Sequence, residues 1–92
     1  MIVQQTKLFA RQKKKLHSNQ IKILDEAVRA IIQQLKIGEQ KKGDFDFVRV
    51  YKFKMISQEC LLAYQINEPE TIVLLSLGSH GNFYRDLKRY IN

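Results

Sequence analysis

Phe47-Val48-Arg49-Val50-Tyr51-Lys52-Phe53-Lys54-Met55 has the alternation of an extended chain. Successive side chains leave opposite faces of a strand. Phe47, Tyr51, Phe53 and Met55 therefore share one face, and Val48, Val50, Lys52 and Lys54 share the other. The aromatic face demands an apolar cover, so other elements must pack there. The lysine face is then the open one. It carries two ammonium groups about 7 Å apart along the strand, a spacing that suits a phosphate. The plain alternative is an exposed outer sheet face.

Outward from this strand, the chain continues in sheet-like runs. A turn near Ser57 to Glu59 leads to a second strand from Cys60 to Ile66, and a turn over Asn67 to Glu70, containing Pro69, leads to a third from Thr71 to Leu77. Such short connections predict an antiparallel meander. Upstream, Ile21, Leu24, Val28, Ile31 and Leu35 recur at spacings of 3, 4, 3 and 4, with Ala27 and Ile32 widening the stripe. This predicts a helix over Asn19 to Ile37, stopped by Gly38, and a polar connection from Glu39 to Asp46 containing Gly43. Thr6 is placed to cap a basic helix carrying Leu8, Phe9 and Leu16, after a short strand at residues 2–5 and before a break near His17, Ser18 and Asn19. Asn82 to Ile91 reads as a final helix with Phe83, Leu87 and Tyr90 turned inward.

The expected class is α+β. A small antiparallel sheet, made of the short N-terminal strand and the three-stranded meander, is covered by an N-terminal helix hairpin and joined by a C-terminal helix. At 92 residues and 45% hydrophobic, residues 1–92 suit one domain that buries roughly 60% of its unfolded surface.

Charge narrows the class of partner. The net charge is +7, and no acid precedes Asp25, whereas Lys7, Arg11, Lys13, Lys14, Lys15 and Lys22 do. A surface so polarised attracts polyanions, either a nucleic acid or a strongly acidic protein. Cys60 is the only cysteine, which excludes an intramolecular disulfide and a cysteine-based zinc set. No window approaches 18 apolar residues and no charged leader precedes an apolar run. Neither a membrane span nor a signal peptide is expected, and the reading is a cytoplasmic protein.

Chemistry concentrates in Gly78-Ser79-His80-Gly81-Asn82-Phe83-Tyr84-Arg85-Asp86-Leu87-Lys88-Arg89, where the chain leaves the third strand. His80 can protonate a leaving oxygen near neutral pH, or simply cap the helix. Tyr84, four residues on, can reach the same cleft and stack on a base, while Phe83 belongs to the core. Arg85 is a candidate phosphate ligand; Lys88 and Arg89 also complement the helix C-terminus. No Gly-rich phosphate loop occurs, and His17 and His80 lie far apart without clustered carboxylates. Metal catalysis and cofactors are therefore not expected. A metal-free ribonuclease is chemically sensible: a 2′-hydroxyl attacks the adjacent phosphate, cations stabilise the crowded anion, and His80 protonates the departing 5′-oxygen.

These segments resemble the RelE/ParE superfamily of toxins from type II toxin-antitoxin pairs. The resemblance covers nearly the whole chain in element order and is most specific from about Lys42 to Ile91. Tyr51-Lys52-Phe53-Lys54 followed by Leu62-Ala63-Tyr64-Gln65-Ile66 is similar to two consecutive strands of RelE-type members. There the paired lysines belong to a ribonuclease site, which implies that role for Lys52 and Lys54. Leu77-Gly78-Ser79-His80 followed by Tyr84 is similar to the end of YafQ-type members. In those, a histidine acts as general acid and an aromatic four residues later helps to hold the base, which implies these roles for His80 and Tyr84. The chain departs from the pattern at Leu61, where RelE-type members carry a catalytic arginine, and at Ser76, where YafQ-type members carry one. Arg49 and Arg85 are the candidates for the missing charge.

The resemblance implies a toxin with a cognate acidic antitoxin. Members divide between ribosome-dependent endoribonucleases that cut mRNA and ParE-like poisons of DNA gyrase, and fold cannot choose between them. Lys52, Lys54 and His80 favour mRNA cleavage. Gyrase poisoning without nuclease activity, or a non-catalytic basic binding module, are the alternatives. Lys13, Lys14 and Lys15 are expected to contact either RNA or the antitoxin.

Overall fold

The computed structural model describes residues 1–43 and 46–91, without the side chains of Asn82, Tyr90 and Ile91. The inward placement expected for Tyr90 lies outside these described residues. The chain runs β1 (Ile2–Gln5), α1 (Lys7–Lys14), α2 (Ser18–Gln33), β2 (Glu39–Gln40), β3 (Arg49–Met55), β4 (Gln58–Asn67), β5 (Thr71–Gly78) and α3 (His80–Ile91). One five-stranded sheet has the order β1-β5-β4-β3-β2. The meander of β3, β4 and β5 is antiparallel, as the short turns require. β1 reaches β5 only after the whole intervening chain and lies parallel to it, so the sheet is mixed.

The alternation in β3 divides the core in two. On the face of Tyr51, Phe53 and Met55, the hairpin of α1 and α2 packs Phe9, Leu24 and Ile31 against Leu62, Tyr64, Ile72 and Leu74. On the other face, Phe83 and Leu87 of α3 pack against Val48, Val50, Leu61, Ala63 and Leu75. Phe83 is 1% exposed and Leu87 is 0% exposed. Burying each contributes about 1.5–3 kcal/mol, which holds α3 flat on the sheet. Phe47, expected on the aromatic face, precedes β3 and is exposed.

Thr6 caps α1 as its residue type predicts: its Oγ1 accepts from the Phe9 amide at 3.0 Å and donates to the Leu75 carbonyl at 2.7 Å. Beyond the end of β1, the side chain of Gln12 takes over the edge of β5. Its Oε1 accepts from the Leu77 amide at 2.8 Å, and its Nε2 donates to Ser76 Oγ at 3.4 Å. A strand edge that would otherwise keep an unpaired donor beside α1 is thereby satisfied.

Besides the N-terminal strand, expected in an antiparallel sheet but parallel to β5, and Phe47, two further expectations change. The helix predicted to Ile37 ends at Gln33, because Gln34 turns extended (φ −144°, ψ 91°). The Tyr64 hydroxyl draws the following segment onto the sheet by donating to the Leu35 carbonyl at 2.6 Å. Leu35 still packs on the core, so the apolar stripe was real although its last turn is not helical. The polar connection after Gly38 in turn contains a two-residue strand, Glu39–Gln40, paired with Val50 and Arg49.

Candidate active site

Lys52 and Lys54 stand on the α3 face of β3, with Leu61 and Glu59 opposite them in the ladder. α3 roofs the valine end of this face and leaves both lysines exposed. Lys52, Leu61 and Gly78 form one row across three strands. His80 follows two residues beyond Gly78, so the row spans roughly 10 Å between the lysine strand and the strand that leads to His80.

The first turn of α3 brings its side chains together. The rings of His80 and Tyr84 meet edge-on, with centroids 6.1 Å apart and planes at 75°. Phe83 meets Tyr84 edge-on as well, at 5.0 Å and 90°. His80 is exposed and Tyr84 half-buried, an arrangement that leaves the imidazole accessible beside an aromatic surface.

Two groups that the sequence reading assigned to a connection join the site from β2. Glu39 pairs with Val50 and therefore shares the α3 face. Lys41 is fixed by its amide, which donates to the Val48 carbonyl at 3.0 Å. Lys41 Nζ lies 3.1 Å from Glu39 Oε1 and 5.5 Å from the centroid of the Tyr84 ring. The Lys41 ammonium is held above its ordinary pKa, chiefly by the neighbouring Tyr84 side chain and then by Glu39, against the opposing cost of burial. The Glu39 carboxyl is held below its ordinary value by the hydrogen bond and charge of Lys41, with a smaller contribution from Lys52. The only sequence signal for this pair is the period-2 spacing Glu39-x-Lys41, too short to separate from a loop.

The other candidate cations are spread apart. Arg49 lies on the opposite, hairpin face, and its Nη1 donates to the carbonyls of Gly38 at 2.8 Å and Lys36 at 3.4 Å. Its Nη2 donates to Gln40 Oε1 at 3.5 Å, so this guanidinium fastens β2 to the sheet. Arg85 is exposed on α3, with Nε 3.9 Å from Asp86 Oδ1. Lys13 and Lys14 lie in the last turn of α1, and Lys15 caps it. Lys14 and Lys15 line a groove with Leu8, Arg11, Gln12 and Asp86, a lining that does not include Lys52 or Lys54. Leu61 is 0% exposed beneath α3. Ser76 is also buried, hydrogen-bonded to Gln12. Among the described residues no group of three or more His, Cys, Asp or Glu is placed to hold a metal ion.

The family model of the ParE-like toxin of type II bacterial toxin-antitoxin systems matches residues 3–88. The chain belongs to this family. As a ParE-like toxin it shares its fold with solved structures from Escherichia coli and Helicobacter pylori. A mutant of the E. coli toxin RelE in the free state has a TM-score of 0.72 at 17% identity, over 96% of this chain and 90% of that one. The intact E. coli RelBE toxin-antitoxin complex matches with a TM-score of 0.66 at 19% identity, over 85% of this chain and 94% of that one. A conserved hypothetical protein from H. pylori gives 0.61 at 23% identity, over 87% and 94%. Among curated proteins none matches significantly. The protein is thus a toxin of a type II toxin-antitoxin system with the fold of RelE. Among its described residues no helix is long and apolar enough to cross a membrane.

Proposed function

We propose that this ParE-like toxin is an endoribonuclease that cleaves mRNA without a metal, at the ribosome, in the cytoplasm. The observation that carries the reading is the sharing of one sheet face by Lys52 and Lys54, His80 and Tyr84. A 2′-hydroxyl gives its proton to the amine form of one of the paired lysines and attacks the adjacent phosphorus. The charged lysine holds the phosphate oxygens as negative charge accumulates there. The bond to the 5′-oxygen breaks as His80 donates its proton to that oxygen, leaving a 2′,3′-cyclic phosphate and a 5′-hydroxyl. Tyr84 holds a base by stacking. Arg85 and the basic end of α1, Lys13 to Lys15, contact phosphates outside the reacting centre.

A cognate antitoxin is the second partner. The net charge of +7 calls for an acidic one, and the related E. coli toxin is found in a toxin-antitoxin complex.

One observation favours a second reading. Leu61 is a core residue where RelE-type members carry a catalytic arginine, and a face short of that charge suits a gyrase poison.

The test is to add purified protein to a translating extract and map mRNA 5′ ends, with gyrase supercoiling assayed in parallel. The reading expects new mRNA ends, lost in His80→Ala and in the Lys52→Ala/Lys54→Ala double variant. Intact mRNA beside blocked gyrase would overturn it in favour of the second reading.

A further inference from the structure

Glu39 and Lys41 have no role in the reaction proposed above, yet they form an ion pair that reaches Tyr84, the ring to which that reaction gives the base. The Lys41 side chain is 20% exposed against 71% for Glu39, so the ammonium is partly withdrawn from water while its counterion is not. An ammonium has three N–H donors. One serves Glu39 Oε1 at 3.1 Å, and Nζ stands 5.5 Å from the Tyr84 ring centroid. The backbone behind Lys41 is rigid: its amide is bonded to Val48, and Arg49 clasps β2 from the other face. Tyr84 is therefore touched by Lys41, by Phe83 and by His80, the last two both edge-on. A ring so surrounded has little freedom about its own side-chain torsions, and a stacking platform benefits from being set before the base arrives.

We propose that Lys41 is a positioning residue for Tyr84: anchored by Glu39, it fixes the ring on which a base of the RNA substrate stacks and thereby sets base selection at the cleavage site. This rests on the ribonuclease reading. Lys41 touches neither the attacked phosphorus nor the leaving oxygen in this scheme; it acts through Tyr84.

The experiment has two arms. In the RNA-free protein, proton NMR signals of the Tyr84 ring, assigned with Tyr84→Phe, are compared among wild type, Lys41→Met and Lys41→Arg. The expected result is displaced ring signals in Lys41→Met and their recovery in Lys41→Arg, which keeps the charge and also separates a lost contact from a folding defect. Unmoved signals in Lys41→Met would overturn the proposal. In the second arm, mRNA cleavage is measured for Lys41→Met, Tyr84→Leu and the double variant. Lys41→Met is expected to lose about 10- to 100-fold in kcat/KM and to spread cleavage over more sequences. The double variant is expected to be no slower than Tyr84→Leu alone, because the two act as one unit. Losses that multiply would show that Lys41 does not act through Tyr84 and would remove the proposal. If wild type leaves mRNA intact, the ribonuclease reading and the substrate role of Lys41 fail together. Wild-type cleavage with multiplying losses removes only the role of Lys41.

Discussion

The Tyr64 hydroxyl accepts a hydrogen bond from the Gly38 amide at 2.9 Å, and the glycine has no room for a side chain against that ring. A Cβ at Gly38 would stand 2.7 Å from Tyr64 Cε1 and 2.9 Å from the hydroxyl oxygen. The same hydroxyl donates to the Leu35 carbonyl at 2.6 Å. This buried tyrosine therefore anchors the segment that leads into Glu39 and Lys41, linking the hairpin face of the sheet to the cleft on the other.

Tyr64→Phe removes both bonds while keeping the ring. It leaves the Gly38 amide and the Leu35 carbonyl without this partner, and a loss of about 1–3 kcal/mol is expected in urea denaturation. Gly38→Ala forces the ring or the loop to move and is expected to cost a similar amount, about 1–3 kcal/mol. Wild-type midpoints for both variants would refute the anchoring role.

Leu61→Arg tests the departure from the RelE pattern. The position is 0% exposed and packs with Phe83 and Leu87 beneath α3. A guanidinium there either buries an unpaired charge or lifts α3 from the sheet. The expected cost is several kcal/mol, on the order of 3–5, read as a lowered denaturation midpoint. Equal stability together with a gain in RNA cleavage would mean that the position opens to the cleft.

Much of this was legible in the sequence because the signals were strictly periodic. The alternation through Val50, Tyr51, Lys52 and Phe53 assigned both faces of β3, and Phe83 and Leu87, four apart, assigned the buried side of α3. What escaped depended on single long-range contacts. Leu35 fits a helical stripe, yet its carbonyl is claimed by a tyrosine 29 residues away. The run Leu74-Leu75-Ser76-Leu77 hides a bulge, since Tyr64 pairs with Leu74 and Ala63 with Ser76, leaving Leu75 over. Arg49 and Lys52 look alike as cations in one strand, but parity puts them on opposite faces, and only Lys52 shares the cleft. Lys41 has only its period-2 spacing from Glu39, too short to read as a strand; its place follows from β2 pairing with β3.

Alkaline pH should weaken the fold through two buried groups. Burial raises the Cys60 thiol from 9.0 and the Tyr64 phenol from 10.0. Because the folded pKa lies above the unfolded one, the unfolded chain releases these protons first. Their contribution to stability is complete below the unfolded values and is lost as pH rises through the folded ones. Stability is therefore expected to hold from neutral pH to about pH 8 and to fall above pH 9, with part of the fall absent in Cys60→Ala. A thiol reagent at pH 7 should react with Cys60 far more slowly in the folded than in the urea-unfolded protein. Equal rates would show that the thiol is accessible.

The basic end of α1 supplies the last test, because its charge has two competing explanations. Arg11, Lys13 and Lys14 lie in the last turn of α1, where cations favour the helix C-terminus by a few tenths of a kcal/mol up to about 1 kcal/mol each. Arg11, Lys14 and Lys15 also line a groove in which Asp86 is the one acid among the described residues. A purely helical role predicts that Lys13→Ala/Lys14→Ala/Lys15→Ala lowers stability and leaves RNA affinity unchanged. Phosphate contact predicts the reverse emphasis. RNA affinity of the wild type should fall steeply between about 50 and 200 mM salt, and each lost contact should flatten the log–log slope by roughly 0.7–0.9. The triple variant is thus expected to show a slope shallower by about 2, measured by fluorescence anisotropy in a His80→Ala background, which the proposed reaction expects to leave the RNA intact. An unchanged slope would assign these lysines to the helix alone.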